Sequence, residues 1–462
     1  MSSITADDIP AAGPVVTDDR GFAGHPLGLS TLFFTEMWER FSYYGMRALL
    51  VLYMVSPAAG GLSFDTAKAT RIYAIYTSAV YFTNVFGGYL ADRWLGARLA
   101  VLLGGIIIAT GHFSMAFHWA PMFYVGLFFI VIGTGLLKPN ISTMVGKLYG
   151  PDDPRRDSGF SIFYMSINLG AMFAPLVCGY LGQRVDWHLG FGAAGIGMTL
   201  GVIQFVVHRK RLAQVGGRPV RRSSVTGVAE PRPRLTKEDK RRLVVVFLLY
   251  FFSMLFWMAF EQSGTSFTLF ADRHVRNEIF GLSFPSSWFQ SVNAVFILTL
   301  APVFSIIWMR WGKRQPSSPA KFSGALVFVS LGMFVIAAAA LFSADGNVSP
   351  LWLIAVYFIH TVGELCLSPV GLSSVTKLSP VRMVGLMMGL WFLATSLGNL
   401  LAGTMAGFYL DDPGVQFRLF GGLGLASLAG AIVLFLLLPL VRKMTTNATT
   451  TEFLVSTAGP NE

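Results

Sequence analysis

Residues 31–55 read TLFFTEMWERFSYYGMRALLVLYMV. Without four of its letters this is an apolar stretch of about 25 residues, longer than the roughly 20 that cross a bilayer as a helix. The four are Glu36, Glu39, Arg40 and Arg47, and their spacing decides how the stretch is read. At about 100° per residue, Arg40 falls roughly 40° from Glu36 on a helical wheel, Arg47 about 20° and Tyr44 about 80°. Tyr43 lies about 20° and Glu39 about 60° to the other side. Six side chains share one face about 140° wide, which runs about 16 Å along the axis at 1.5 Å per residue. A charged and phenolic stripe of that length cannot face lipid. It predicts a spanning helix whose polar face meets other helices or water. The simpler alternative is a set of local i,i+3 and i,i+4 pairs that only pin helices together.

Working outward, eleven further apolar runs of about spanning length follow: 68–91, 98–117, 121–147, 158–181, 188–208, 242–271, 286–310, 321–343, 350–376, 383–408 and 417–441. Pro139 and Pro369 interrupt the fourth and tenth and predict kinks, which membrane helices tolerate. Composition agrees with an all-α integral membrane protein. Charged residues make up 13% of the 462, about half the usual level for soluble domains, and the mean hydropathy is +0.59. Cys178 and Cys366 both fall inside apolar runs and read as small buried side chains rather than a disulfide. No basic segment followed by a short apolar core marks a cleavable leader in the first 30 residues.

The net charge is +11, but its distribution excludes nucleic acid as the partner and points to membrane lipid. With the N-terminus inside, about 26 of the 35 Lys and Arg fall in segments on the cytoplasmic side and about 6 in the opposite loops, so both termini are expected in the cytoplasm. Eleven of these belong to a linker rich in Arg, Gly, Pro and Ser, whose charge suits anionic headgroups. It divides the chain into a cytoplasmic N-terminal segment (1–30), a six-helix bundle (31–208), the basic linker (209–241), a second six-helix bundle (242–441) and a cytoplasmic tail (442–462). Two six-helix halves about a midplane site is a plan used by transporters. Receptors and membrane enzymes are also polytopic, so helix number alone does not decide function.

Three more ionisable residues lie deep in their runs: Lys138, Glu261 and Glu364. Each charge at bilayer depth costs about 2.5–3.5 kcal/mol unless paired or hydrated. Counting along each helix places Arg47 and Glu261 at similar depth in the outer half of the bilayer, and Lys138 and Glu364 in the inner half with Arg40. Two contacts between halves are therefore expected, Arg47–Glu261 near the outer mouth and Lys138–Glu364 near the site. Four acids against three bases leave a single negative charge, which one proton neutralises. No nucleophile–base pair and no metal-ligand spacing reads from the chain, so it is not expected to be an enzyme.

EMWERFSYYGMR at 36–47 resembles the ExxERFxYYG signature of the proton-dependent oligopeptide transporter (POT/PTR2) family, within the major facilitator fold. GTGLLKPNIS at 133–142, FSIFYMSINLGA at 160–171, FEQSG at 260–264 and GELCLSPVGLSSV at 363–375 resemble that family's motifs in the fourth, fifth, seventh and tenth helices. GGYLADRWLGAR at 87–98 resembles the general facilitator loop between the second and third. The resemblance covers nearly all twelve runs. Many bacterial members carry two extra helices between the halves, for which this linker is too short and polar. Animal members carry a second-helix histidine that residues 68–91 lack, so coupling would fall on carboxylates.

The resemblance implies symport of di- and tripeptides with protons across the bacterial cytoplasmic (inner) membrane, by a monomer that uses the proton gradient and no cofactor. It assigns Glu36, Glu39 and Arg40 to proton coupling and places Arg40 and Lys138 near the substrate carboxylate. Glu364 would receive the amino terminus, helped by Asn168 and Asn293. Glu261 would pair with Arg47 as a second protonation-sensitive gate. Tyr43, Tyr44, Tyr81, Trp257 and Trp391 would line side-chain pockets, although for the last three ordinary helix packing is an equal alternative. The competing function is a facilitator of another small anionic or zwitterionic solute, such as nitrate or an amino-acid conjugate. Some plant relatives that move nitrate lack the ExxER glutamates, so their presence here favours peptide.

Overall fold

The twelve apolar runs are twelve helical stretches in the computed structural model, which describes residues 20–58, 60–150, 153–217, 235–380 and 383–457. The first 19 residues, the core of the basic linker (218–234) and the last five residues of the tail lie outside them. In order the helices are α1 (Leu27–Val55), α2 (Thr66–Leu90), α3 (Ala97–Met115), α4 (Ala120–Lys147), α5 (Arg156–Tyr180), α6 (Trp187–Val207), α7 (Lys237–Phe260), α8 (Ser266–His274), α9 (Phe289–Trp311), α10 (Ser318–Phe342), α11 (Leu351–Leu378), α12 (Val384–Ala406) and α13 (Pro413–Thr457). Ten stretches among the described residues are long and apolar enough to cross a membrane. α1 and α2 match them in length, at 29 and 25 residues, and α1 carries the four charges of the opening stretch. The chain is a multi-pass, mostly helical membrane protein.

Pro139 and Pro369 sit inside α4 and α11, which continue through them. The seventh run departs from the single helix that its apolarity predicts. α7 stops at Phe260, a 3-10 turn covers Glu261–Gly264, and α8 resumes at Ser266. The polar letters EQSG end the helix. Gln262 repairs the backbone by donating to the carbonyls of Met258 (3.2 Å) and Ala402 (2.9 Å), as irregular backbone at membrane depth requires. A short hairpin, β1 (Glu278–Ile279) against β2 (Leu282–Ser283), links α8 to α9. At the other end of α7, Thr236 and Asp239 form a reciprocal capping box. Cys178 and Cys366 are buried free thiols. His360 is buried, with Nε2 3.1 Å from the Val329 carbonyl oxygen.

Two compact units form, and neither is a contiguous half of the sequence. The first contains the described residues of Met1–Tyr44, Thr83–Ala174 and Phe191–Arg221, and the second those of Gly45–Phe82, Pro175–Gly190 and Arg222–Glu462. The boundary cuts α1, α2, α5 and α6 as well as the linker. In the first unit α3 and α4 meet through glycines spaced seven apart. A Cβ at Gly104 would come within 2.6 Å of the Gly133 carbonyl oxygen, and one at Gly111 within 2.8 Å of that of Gly126. Small residues let membrane helices approach this closely. Leu29, Ile108, Leu137, Ile141 and Met198 fill the core beside them.

In the second unit hydroxyls tie helices together. Ser323 and Ser330 of α10 donate to the Ala431 and Gly424 carbonyls of α13 at 2.9 and 2.8 Å. Ser78 of α2 and Ser396 of α12 donate to each other's carbonyls at 2.9 Å.

Candidate functional site

The polar face of α1 is buried, and the two units divide it. In the first, Glu36, Glu39 and Arg40 are each no more than 2% exposed. Glu39 grips the guanidinium with both oxygens, one at Nε and the other 2.5 Å from NH2. Glu36, one turn earlier, brings Oε1 to 3.3 Å from Nε. The Tyr43 and Tyr44 rings lie 5.0 and 6.0 Å from the guanidinium carbon, within range of a cation–π attraction. Glycine on α5 makes this packing possible, since a Cβ at Gly170 would come within 2.8 Å of the Arg40 Cβ.

Two acids and one base leave this cluster a net negative charge, and the Lys138 ammonium of α4 lies within electrostatic reach of Glu36. The second oxygen of Glu36 has no hydrogen-bond partner among the described residues. A buried carboxylate oxygen without a donor is unfavourable by about 1–3 kcal/mol or more. Binding a proton, or accepting from an incoming donor, relieves it. Asn168 is buried on α5, and its amide donates to the Tyr164 carbonyl of its own helix at 3.1 Å.

In the second unit the structure brings Arg47 and Glu261 together as a buried ion pair through the guanidinium NH2 and Oε2. The break after α7 places Glu261 on the 3-10 turn at this point. Arg47 Nε also donates to the Tyr73 hydroxyl of α2 at 2.5 Å. Glu364 of α11 accepts from the Asn293 amide of α9 at 3.1 Å, and the same amide reaches Thr361 Oγ1 at 3.0 Å. Lys138 belongs to the first unit and Glu364 to the second.

The aromatic candidates differ in their surroundings. Trp391 is buried against Tyr250 and Phe322, with ring centroids 6.1 and 6.4 Å away. Trp257 packs against Phe256 and Phe260, and its indole N–H has no acceptor among the described residues. Tyr81 is half-buried on α2.

Tyr73 and Thr361 add polar contacts that sequence reasoning missed. A signal for Tyr73 existed. Arg47 lies about 12 Å before the end of α1 and Tyr73 about 11 Å after the start of α2, so the loop joining the two helices sets them at matching depth.

Known proteins resemble this chain along most of its length. The profile of the family described as PTR2, POT family, matches residues 98–228 and 222–423. The peptide transporter YePEPT of Yersinia enterocolitica is 41% identical, over 93% of this chain and 97% of its own. A di-/tripeptide transporter of Lactococcus lactis subsp. cremoris is 34% identical, over 92% and 98%. Among solved structures, peptide transporter POT in complex with sulfate superposes with a TM-score of 0.87 at 39% identity, covering 96% of this chain and 99% of that one. A POT family transporter in complex with 5-aminolevulinic acid gives 0.85 at 34%, over 92% and 98%. The fold is thus that of the major facilitator transporters, and the chain belongs to the POT family, the proton-dependent oligopeptide transporters.

Proposed function

We propose that this protein imports di- and tripeptides together with protons across the bacterial cytoplasmic membrane by alternating access, with both termini in the cytoplasm. The observation that carries the reading is the α1 cluster, in which a buried arginine is shared by two carboxylates and one carboxylate oxygen has no donor among the described residues. Protonation of Glu36 or Glu39 weakens the hold on Arg40. The freed guanidinium, with Lys138, then takes the peptide carboxylate, a two-cation arrangement suited to that group. Glu364, steadied by Asn293 and assisted by Asn168, takes the amino terminus. Tyr43, Tyr44, Tyr81, Trp257 and Trp391 line the side-chain pockets. Two ion pairs act as gates: Arg47–Glu261, and Lys138–Glu364 in the state where the halves close on them. Peptide-transporting relatives at 34% and 41% identity support this cargo.

The protein works as a monomer, with the proton gradient as its driving force and no cofactor. One charge crossing 100 mV supplies about 2.3 kcal/mol, enough for accumulation of roughly fifty-fold per proton.

The test is uptake of labelled di-alanine into proteoliposomes with and without an inward proton gradient. Uptake is expected to rise severalfold with the gradient, and equal uptake in both conditions would refute coupling. Unlabelled dipeptide should compete, whereas nitrate should not. A relative that holds 5-aminolevulinic acid favours including that zwitterion as a third competitor, and its competition without any by dipeptide would instead support the smaller cargo.

A further inference from the structure

We propose that Tyr73 is the third member of the Arg47–Glu261 gate, the acceptor that keeps Arg47 on α2 when Glu261 releases it. This rests on reading that ion pair as a gate. Tyr73 is buried, its hydroxyl accepts from Arg47 Nε at 2.5 Å, and its ring centroid lies 5.8 Å from the guanidinium carbon. The two acceptors therefore use different nitrogens of one guanidinium, and neither displaces the other. They also differ in chemistry. A phenol keeps its lone pairs at every pH at which a carboxylate changes state. Glu261 belongs to the turn after α7, in the second half of the sequence, whereas Tyr73 sits on the helix that follows α1. A proton on Glu261 can therefore cut the tie between the halves without leaving a buried guanidinium unpartnered, which is strongly unfavourable.

A second observation supports the assignment. Gly264 ends the turn that carries Glu261, and a Cβ there would overlap the Tyr73 phenol and come within 2.9 Å of Arg47 NH2. The turn is bare where the phenol enters. α11 also brings ionisable groups toward the triad. Tyr357 lies within electrostatic reach of Arg47 and Glu261, and Glu364 of Glu261. α12, packed alongside, carries no ionisable side chain.

The variants Tyr73→Phe, Gly264→Ala and Glu261→Gln of the full chain, reconstituted in liposomes, test this with labelled di-alanine in gradient-driven uptake and in gradient-free counterflow across a pH series. Without the phenol, Arg47 leans more heavily on the carboxylate, and releasing it becomes harder. Tyr73→Phe should therefore reduce gradient-driven uptake about fivefold more than counterflow and move the acid limb of the uptake profile about half a unit lower. Gly264→Ala, which pushes the phenol aside, should show the same split. Wild-type behaviour of both variants, beside a Glu261→Gln variant that has lost gradient-driven uptake, overturns the proposal. Equal loss of both transport modes in both variants also overturns it, because packing damage produces that pattern. Glu261→Gln with wild-type gradient-driven uptake overturns the gate reading itself.

Discussion

Arg40 takes both oxygens of the residue before it and one from the preceding turn. Only a planar fork of donors can do this. Lysine would keep the charge and lose the shared geometry. Arg40→Lys is therefore expected to lower dipeptide uptake about tenfold or more, read from initial rates in proteoliposomes; wild-type rates would show that the fork is not used. Glu39→Gln removes charge but little volume. It should abolish gradient-driven uptake while some counterflow remains, and unchanged uptake would remove Glu39 from coupling. The buried face of α1 was legible because six polar letters at helical spacing within an apolar run leave few alternatives. Tyr73 was harder to read, because it is one of four tyrosines in its apolar run and each reads equally well as packing; only the matching depth across the α1–α2 loop singles it out beside Arg47.

At the level of elements, two kinds of helix contact should respond differently to substitution. α3 and α4 approach through Gly104, Gly111, Gly126 and Gly133, where any side chain meets the opposing backbone. Gly133→Val is expected to destabilise the protein by about 1–3 kcal/mol or more. The hydroxyl ties of α10 to α13 are worth less, since interhelical hydrogen bonds in membranes average about 0.6 kcal/mol. Ser330→Ala should therefore lower the unfolding temperature in detergent far less than Gly133→Val, and the reverse order would show that the glycine contact is loose. The span pattern was readable because bilayer thickness fixes how long an apolar run must be. The break between α7 and α8 was not, since four polar letters, EQSG, do not outweigh the apolar run around them. What favours the break is tertiary: a glutamine that repairs the carbonyls and an arginine that receives the carboxylate.

For the whole molecule, Glu36, Glu39, Glu261 and Glu364 against Arg40, Arg47 and Lys138 leave one negative charge to neutralise. A zwitterionic peptide adds none. The expected proton-to-dipeptide ratio is therefore about one, measured from the reversal potential of coupled uptake, and a ratio near two or above would show that further groups carry protons. The same charges bear on how the protein is made. α1 leaves the ribosome before α2 to α13, yet at about 2.5–3.5 kcal/mol for each of four charges it is poorly suited to enter the bilayer unaided. Arg40 carries its acidic neighbours with it. Arg47 does not, because Glu261 lies 214 residues further on. At about 5–20 residues per second, that carboxylate is synthesised roughly 10–40 s later. Until then the nascent arginine depends on Tyr73, on water and on the translocation machinery, so the integration of α1 is completed only after α7 has been synthesised.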